Sequence, residues 1–320
     1  MNVERIGRNT KRKLRKRIIF ADEMFGLQRN TFLTLLFGLW LQHFTWAQDS
    51  TAYWKFKSLY SLSGTQTSFV NWNAGGRNNI SIIGSANASA YYTRENIKWT
   101  NDASFALGGI KYFDNKGIGA QKTDDRLDLS STFGMQLSKG FFLTFASTFR
   151  TQSINGYAYP NDSIPVSRFM APGYLNLALG ADFRKSDNFN IFFSSIAIKS
   201  TFVLDDSLSA KGSFGVEPGM RYRQEYGAYL KMKINRPLAK NIEMKSKLEL
   251  FSNYLNNPQN IDVNTELLLL FRVNSLVSAS AQWNLIYDDD IKITDANGSI
   301  GPRTQFKSVI GIGLSYKIES

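Results

Sequence analysis

The residue types that carry most enzyme chemistry are almost missing from this chain. Its 320 residues include no cysteine, and the single histidine is His43. Nucleophilic triads and most tightly bound metal sites need His or Cys side chains. Beyond residue 43 only carboxylate-based chemistry remains open. We therefore predict that the protein is not an enzyme, with no catalytic residues, no metal site and no cofactor.

The segment 66–76, which reads Gln-Thr-Ser-Phe-Val-Asn-Trp-Asn-Ala-Gly-Gly, holds the most distinctive polar and aromatic cluster. Asparagine side chains bond local backbone groups in turns, tryptophan offers a wide apolar surface, and glycines permit close backbone approach. Two interpretations follow: a clamp for a ligand or partner, or a turn that folds inward with Trp72 as a plug. We favour the plug. The candidate residues are Asn71, Trp72, Asn73, Gly75 and Gly76.

Acidic clusters are a second candidate for binding. They lie at Asp124-Asp125, Asp205-Asp206 and Asp288-Asp289-Asp290. The last is followed by further oxygen donors, as in a calcium loop, but it lacks the spacing of the calcium-binding motif. We interpret these clusters as solvated loop charge. The alternative is a site for calcium or for cations that bridge lipopolysaccharide.

The elements that position these residues are predicted to be β-strands. After residue 50, twelve segments of about ten residues alternate apolar and polar side chains, which is the period of a strand. Short and long links alternate between them. The short links are Thr93–Ile97, Ser138–Gly140, Lys185–Asn188, Arg236–Asn241 and Asn274–Ser275. The long links are Gly64–Asn78, Lys111–Asp125, Ser153–Pro172, Val203–Gly219, Asn253–Asp262 and Asp288–Thr304.

Such alternation of link length is typical of outer-membrane barrels, with short turns on the periplasmic side and long loops outside. We predict an all-β fold, an antiparallel up-and-down transmembrane barrel of about 12 strands over residues 48–320, in the cell outer membrane. Both ends of the barrel domain would then face the periplasm. Aromatic residues near strand ends, such as Trp54, Tyr92, Trp99 and Tyr174, are expected to form interfacial girdles; the alternative is the general preference of aromatics for strands.

One parity of the strands is charged and is expected to face the lumen. In 126–137, Arg126 and Asp128 alternate with Leu127 and Leu129. The full set mixes both signs: Arg126, Asp128, Arg150, Asp182, Arg184, Lys245, Lys247, Glu249, Glu266 and Arg272. Opposite charges in a narrow space pair, whereas charge of one sign would favour an ion-selective pore. The mixture therefore favours a plugged or ligand-holding lumen.

Residues 1–47 are predicted to be a leader. The apolar run 31–41 has the length of a signal-peptide core, and cleavage is expected near Ala47. Eight Lys or Arg precede residue 24; we interpret them as a long basic n-region or as upstream sequence before a true start at Met24, with a nucleic-acid-binding arm as the alternative. The leader carries nine Lys or Arg and three Asp or Glu, so its net of +6 is half of the chain's +12.

The carboxyl-terminal segment 313–318, Gly-Leu-Ser-Tyr-Lys-Ile, alternates like the strand signal read by barrel-insertion machinery. Gly313, Tyr316 and Ile318 are the residues expected to carry this signal. The segment departs from the usual form because Ile318 replaces the common final aromatic. We expect outer-membrane lipid and the insertion machinery to be partners of the chain.

The segments 66–81 and 98–101, with Asn-Trp-x-x-Gly-Gly followed by Trp-x-Asn, resemble the opening of a Bacteroidota family of outer-membrane β-barrels classed as a domain of unknown function. Residues 305–316 resemble its closing segment. The resemblance implies an outer-membrane location and no assigned chemistry. It therefore adds little to the functional interpretation of the residues themselves.

Two functions fit this sequence. The first is a porin-like but non-enzymatic barrel with a structural or partner-binding role in the envelope, whose partner would be another envelope protein and not nucleic acid. The second is a narrow channel or carrier for a small solute. The mixed-sign lumen and the element at Trp72 favour the first.

Overall fold

The computed structural model describes residues 53–68, 77–113, 119–186, 188–294 and 298–319. The leader at 1–47 and the element Asn71, Trp72, Asn73, Gly75 and Gly76 lie outside these residues. Their predicted roles therefore remain predictions. Among the residues described, no helix is long and apolar enough to cross a membrane.

Twelve long strands form a closed antiparallel barrel, which confirms the predicted fold class and strand number. The strands are β1 (Trp54–Thr67), β2 (Asn79–Arg94), β3 (Ile97–Tyr112), β4 (Gln121–Ser138), β5 (Phe141–Thr151), β8 (Gly173–Ser186), β9 (Phe189–Phe202), β10 (Tyr222–Ala239), β11 (Ile242–Asn253), β12 (Ile261–Arg272), β13 (Val277–Tyr287) and β16 (Gln305–Glu319). Each pairs with its neighbours along the chain. β1 and β16 close the ring, with Tyr60 opposite Tyr316.

Short elements lie in the long links. The hairpin β6 (Gly156–Tyr157) and β7 (Pro165–Ser167) follows β5, and the hairpin β14 (Lys292–Thr294) and β15 (Ile300–Pro302) follows β13. The link after β9 holds the helix α1 (Asp206–Ala210) and a 3-10 turn at Ser213–Gly215. The long links at these positions are therefore folded structures.

The predicted short links coincide with the turns except after β10. That strand continues to Ala239, so the turn is only Lys240–Asn241. The prediction placed its start at Arg236, one residue before Pro237, which cannot donate a hydrogen bond to the ladder. The strand accommodates the proline with a register shift between Pro237 and Ala239 and then resumes pairing.

The outer surface of the barrel is apolar, as the alternation predicts. On β4, Leu129, Phe133, Met135 and Leu137 are 43% to 66% exposed. Aromatics gather at the end of the barrel that carries the short turns, where Trp54 lies 5.2 Å from Tyr92 and 5.6 Å from Trp99 between ring centroids. An apolar surface this broad is typical of a surface that contacts a membrane or another protein.

Tyr174 does not belong to this aromatic girdle, and its predicted place there is wrong. It pairs with Arg150 on β5 and lies beside Lys199 and Asp288. Its position near a strand end suggested an interfacial residue. Its parity, which it shares with Asn176 and Asp182, instead directs it into the lumen.

Candidate functional site

The lumen is the candidate functional site, because charged side chains from most strands meet there. Glu249 on β11 is almost fully buried and stands at the centre of this network. It pairs with Arg150 on β5, accepts a hydrogen bond from the Tyr229 hydroxyl at 2.7 Å, and lies 3.2 Å from the Lys247 ammonium and 3.7 Å from the Lys231 ammonium. A buried carboxylate is tolerated only with such partners.

Some of these ion pairs cross the barrel from one wall to the other. Arg126 on β4 lies 3.2 Å from Glu266 on β12. In the ring of twelve strands, β4 and β12 are six places apart, which is the greatest separation the ring allows. The two side chains therefore meet across the full width of the lumen.

Other pairs cross at other heights. Lys233 on β10 lies 3.2 Å from Asp102 on β3, five places away, and Lys307 on β16 lies 2.6 Å from Asp124 on β4, four places away. A further pair lies within one strand, where Asp182 and Arg184 of β8 are 2.6 Å apart. Opposite charges thus pair throughout the lumen, as the mixed-sign parity predicted.

A second cluster lies toward the long loops and is centred on Lys199 of β9. Its ammonium donates to Asp288 at 2.8 Å, pairs with Asp262, and lies 3.5 Å from Glu225. Arg223 extends the cluster, at 2.8 Å from Glu225 and 2.6 Å from Asp290. The link after β13 is therefore tied back into the lumen by its own carboxylates.

This arrangement corrects the interpretation of the acidic clusters as solvated loop charge. Asp288 is 7% exposed and Asp125 is also buried, where it accepts bonds from Ser153 and from the backbone of Ile154. Only Asp206 of the second cluster is widely exposed. Loop residues can fold back onto a barrel, which sequence spacing does not reveal.

Carboxylate oxygens of Asp262, Asp288 and Asp289 lie within 4.8 Å of one another, a spacing that a metal ion could use. The Lys199 ammonium already contacts two of these carboxylates, and Asn260 donates to Asp289 at 2.7 Å. The protein thus supplies its own cation at this position.

The long loops pack on one another above this cluster. Ala171 from the link after β5 and Val203 after β9 are fully buried, and they contact Leu208 and Val216. Asp205 caps α1 by accepting from the Leu208 amide at 3.0 Å. Packing and capping hold these links as an ordered cover.

The two sides of the lumen differ in the size of their side chains. On β5 and β8–β11 the lumen side is densely packed, with Phe192, Tyr229 and Phe251 in one apolar cluster. On β1, β2, β13 and β16 many residues of the same parity are small and partly accessible. The small ones are Ser61, Ser63, Ser81, Ser85, Ser89, Ser278, Ser280, Gly311, Gly313 and Ser315.

The sequence analysis assigned ten charged residues to the lumen side correctly but did not list others that lie there, among them Lys199, Asp102, Asp262, Asp288 and Lys307. Lys199 and Asp102 have the lumen parity of their strands, which is the signal that could have identified them. Asp288 could not be identified this way because it follows the end of β13. Gly313, Tyr316 and Ile318 all lie on β16, with Tyr316 and Ile318 exposed on the outside.

Three solved structures are similar to this chain in part. The COG4313 outer membrane channel from Pseudomonas putida F1 is 12% identical, with a TM-score of 0.37 over 85% of this chain and 99% of that chain. The NanC porin is 7% identical, at 0.37 over 82% and 100%. The translocator domain of the autotransporter NalP from Neisseria meningitidis is 8% identical, at 0.34 over 84% and 90%. Because these TM-scores are low, the barrel architecture is established by the strand pairing and not by the comparison.

No curated protein matches the chain significantly. A family model does match part of the barrel, from the end of β1 into the link after β5. This confirms that the opening segment resembles a family without assigned function, while the Bacteroidota origin remains a prediction. Residues 65–157 match the family described as "Protein of unknown function (DUF3078)".

Proposed function

We propose that this protein is an outer-membrane barrel with a closed lumen, which acts in the envelope through structural support or partner binding and not as an enzyme. The main observation that supports this proposal is the set of ion pairs that cross the lumen, above all Arg126 with Glu266 on opposite strands. The apolar outer surface and the aromatic cluster at one end support a membrane location.

The crossing pairs support closure on energetic grounds. Charges taken out of water are costly unless they are paired and hydrogen-bonded, so a lumen filled this way holds its side chains together. The network around Glu249 links β5, β10 and β11, and Gln282 on β13 donates to Glu266 at 3.0 Å. Opening a path for a solute would require crossing contacts, above all the one between Arg126 and Glu266, to break.

Conductance in planar bilayers tests the closed lumen. We expect the wild type to be electrically silent. The double variant Arg126→Ala with Glu266→Ala removes a crossing pair without leaving a lone charge, and it should produce discrete current steps. The matched control is Arg221→Ala with Asp206→Ala, an exposed ion pair on the loops, which should remain silent. Stable steps from the wild type would contradict the proposal.

A narrow channel or carrier for a small solute is the second candidate. The observation that favours it is the set of serine and glycine residues on the lumen side of β1, β2, β13 and β16, which are partly accessible. Hydroxyl groups of this kind suit a small polar solute. If the protein is such a channel, the wild type would show current steps in planar bilayers. The control variant with Arg221→Ala and Asp206→Ala would show the same currents as the wild type.

The substitution Trp72→Ala separates the two interpretations of the 71–76 element. A plug predicts new conductance while any partner is retained. A docking role predicts weaker partner retention with no new conductance, since aromatic anchors commonly carry much of an interface's binding free energy.

A further inference from the structure

The net charge of the barrel is concentrated at one end. We define the short-turn end as the five short turns with the five strand residues on either side of each, plus the first five residues of β1 and the last five of β16. It carries twelve Lys or Arg and five Asp or Glu, a net of +7. Residues 53–320 contain 29 Lys or Arg and 22 Asp or Glu, also a net of +7. The rest of the barrel is therefore neutral.

Most of these cations have the parity that faces the lumen. They ring the inside of the mouth at the short-turn end, which we call the basic vestibule: Lys55, Lys57, Lys98, Arg184, Lys245, Arg272 and Lys317. Three carboxylates share this parity there: Asp182, Glu243 and Glu319. The vestibule therefore has a net charge of +4.

The contacts show why pairing does not cancel this charge. Glu319 is shared by Lys317 at 2.7 Å and Lys57 at 3.4 Å. Glu243 is shared in the same way by Arg272 at 3.4 Å and Lys245 at 3.7 Å. Each carboxylate can neutralise one of its two cations. The side chains of these four cations are 41% to 53% exposed.

On the side of β3, β5 and β8, the floor of the vestibule is covered. Phe142 on β5 is 3% exposed, with the Arg184 guanidinium 4.9 Å and the Lys98 ammonium 5.5 Å from its ring centroid. Deeper still, Lys233 and Asp102 cross the lumen. On this side, a ligand attracted to the vestibule would meet covered and paired side chains and would not pass deeper into the barrel.

We propose that the basic vestibule is a docking surface for an acidic protein segment on the side of the membrane that the short turns face. The occupant is inferred from the placement of the charges. Head groups of lipids surround the outer wall, whereas these seven cations face inward, where lipid does not reach. A small anion needs donors that converge on one point, while these cations spread around the ring and suit an extended chain with several carboxylates.

This inference rests on the proposed function, because it gives the partner proposed there a chemical class. Its test uses the full barrel in neutral detergent and a fluorescent peptide of ten glutamates, with binding followed by anisotropy at rising salt. The vestibule variant carries Lys55→Gln, Lys57→Gln and Lys245→Gln. It leaves Lys317 to pair with Glu319 and Arg272 to pair with Glu243, and heat-modified gel mobility checks that it folds.

We expect the wild type to bind the peptide with an affinity that falls as salt rises, and the vestibule variant to lose on the order of tenfold in affinity at low salt. The control variant removes three cations at the opposite end, through Lys211→Gln, Arg221→Gln and Lys292→Gln. It should bind as the wild type does. If both variants lost the same affinity for the peptide, the binding would depend only on the net charge of the protein, and the proposal would be wrong.

A lipid arm tests the other class of partner. In nanodiscs of phosphatidylcholine with and without phosphatidylglycerol, retention of the anionic lipid should be the same for the wild type and the vestibule variant. If the variant loses phosphatidylglycerol while the peptide binds neither protein, the surface recognises lipid and the proposal is wrong. Currents from the wild type would contradict the closed lumen and leave this peptide result unchanged, so the two failures are distinguishable.

Discussion

At the scale of single residues, a few carboxylates organise the structure around them. Glu249 gathers cations from three strands in the lumen, and Asp125 holds the start of the link after β5. Both act because a buried carboxylate must satisfy its oxygens with donors. The same rule operates outside the barrel at Asp205, where its consequence can be measured.

Asp205 should make the cap of α1 depend on pH. It accepts from the Ser207 hydroxyl at 2.6 Å and from the Leu208 amide at 3.0 Å, and these bonds hold the pKa of its carboxyl below the ordinary value. A carboxyl whose folded-state pKa is lowered contributes stability above its unfolded pKa and loses it as pH falls through the folded value. Protection of the amides in 206–216 against hydrogen exchange, measured relative to the intrinsic exchange rate at each pH, should therefore fall in acid.

Asp205→Ala should accelerate this exchange already at neutral pH, by the equivalent of about 1 kcal/mol for a lost N-cap. Asp206→Ala is the matched control, because its carboxylate is 82% exposed and makes no cap. If the amides of the Asp205 variant and the wild type were equally protected from exchange, Asp205 would not stabilise α1 as its cap.

At the scale of elements, the seam between the first and last strands decides closure. A Cβ at Gly313 would lie 2.1 Å from the Leu62 carbonyl oxygen and 2.6 Å from the Ser63 Cα. Gly313 is thus required by the close approach of β1 to β16. This gives a physical reason for the glycine that the sequence analysis placed in the insertion signal.

Gly313→Ala should slow or reduce folding into lipid, because the two backbones would have to separate at the seam. Gly301→Ala, at a position where the new methyl group meets nothing within 4 Å, should fold as the wild type does. Folding yield in vesicles, read by heat-modified gel mobility, measures both. A normal yield for Gly313→Ala would show that the seam adjusts freely.

The outward parity of β16 leads to a second test. Tyr316 is 62% exposed on the outer surface, whereas its neighbour Lys317 has the lumen parity and pairs with Glu319. Tyr316→Asp should lower insertion more than Lys317→Asp, since a charge facing lipid costs up to about 2–4 kcal/mol, less for Asp and near the interface. Equal yields from the two variants in the same vesicles would refute this parity assignment.

At the scale of the whole molecule, the twelve strands require both ends of the barrel to lie on the same side, with all long links on the other. We expect an epitope inserted at Asp162–Ser163, in an exposed part of the link after β5, to be labelled on intact cells. An epitope in the link after β9, next to Lys211, should also be labelled.

An epitope in the short turn Lys185–Asn188 should be labelled only after the outer membrane is opened. This turn is the control for the two long links, since all three insertions interrupt the same barrel. Labelling of the short turn on intact cells would show that the orientation is the opposite one, with the basic vestibule outside the cell.

The sequence by itself determined the strand number, the alternation of links and the side of the sheet on which most charges lie. These properties are local, since side-chain direction in a strand alternates with a period of two. The lumen assignments of Arg126, Glu249 and Glu266 followed from parity alone. The difference in net charge between the basic short-turn end and the neutral remainder can also be counted from the sequence, once the ends of the strands are known.

Only the tertiary structure decided which charges meet. Arg126 and Glu266 are 140 residues apart in the chain and become partners because ring closure places β4 opposite β12. Asp288 became a buried lumen residue because its link folds back onto Lys199. Tyr174 lies beside the same lumen network and not in the predicted girdle. Pairing across a closed barrel depends on the register and shear of all twelve strands together, and no local pattern encodes that sum.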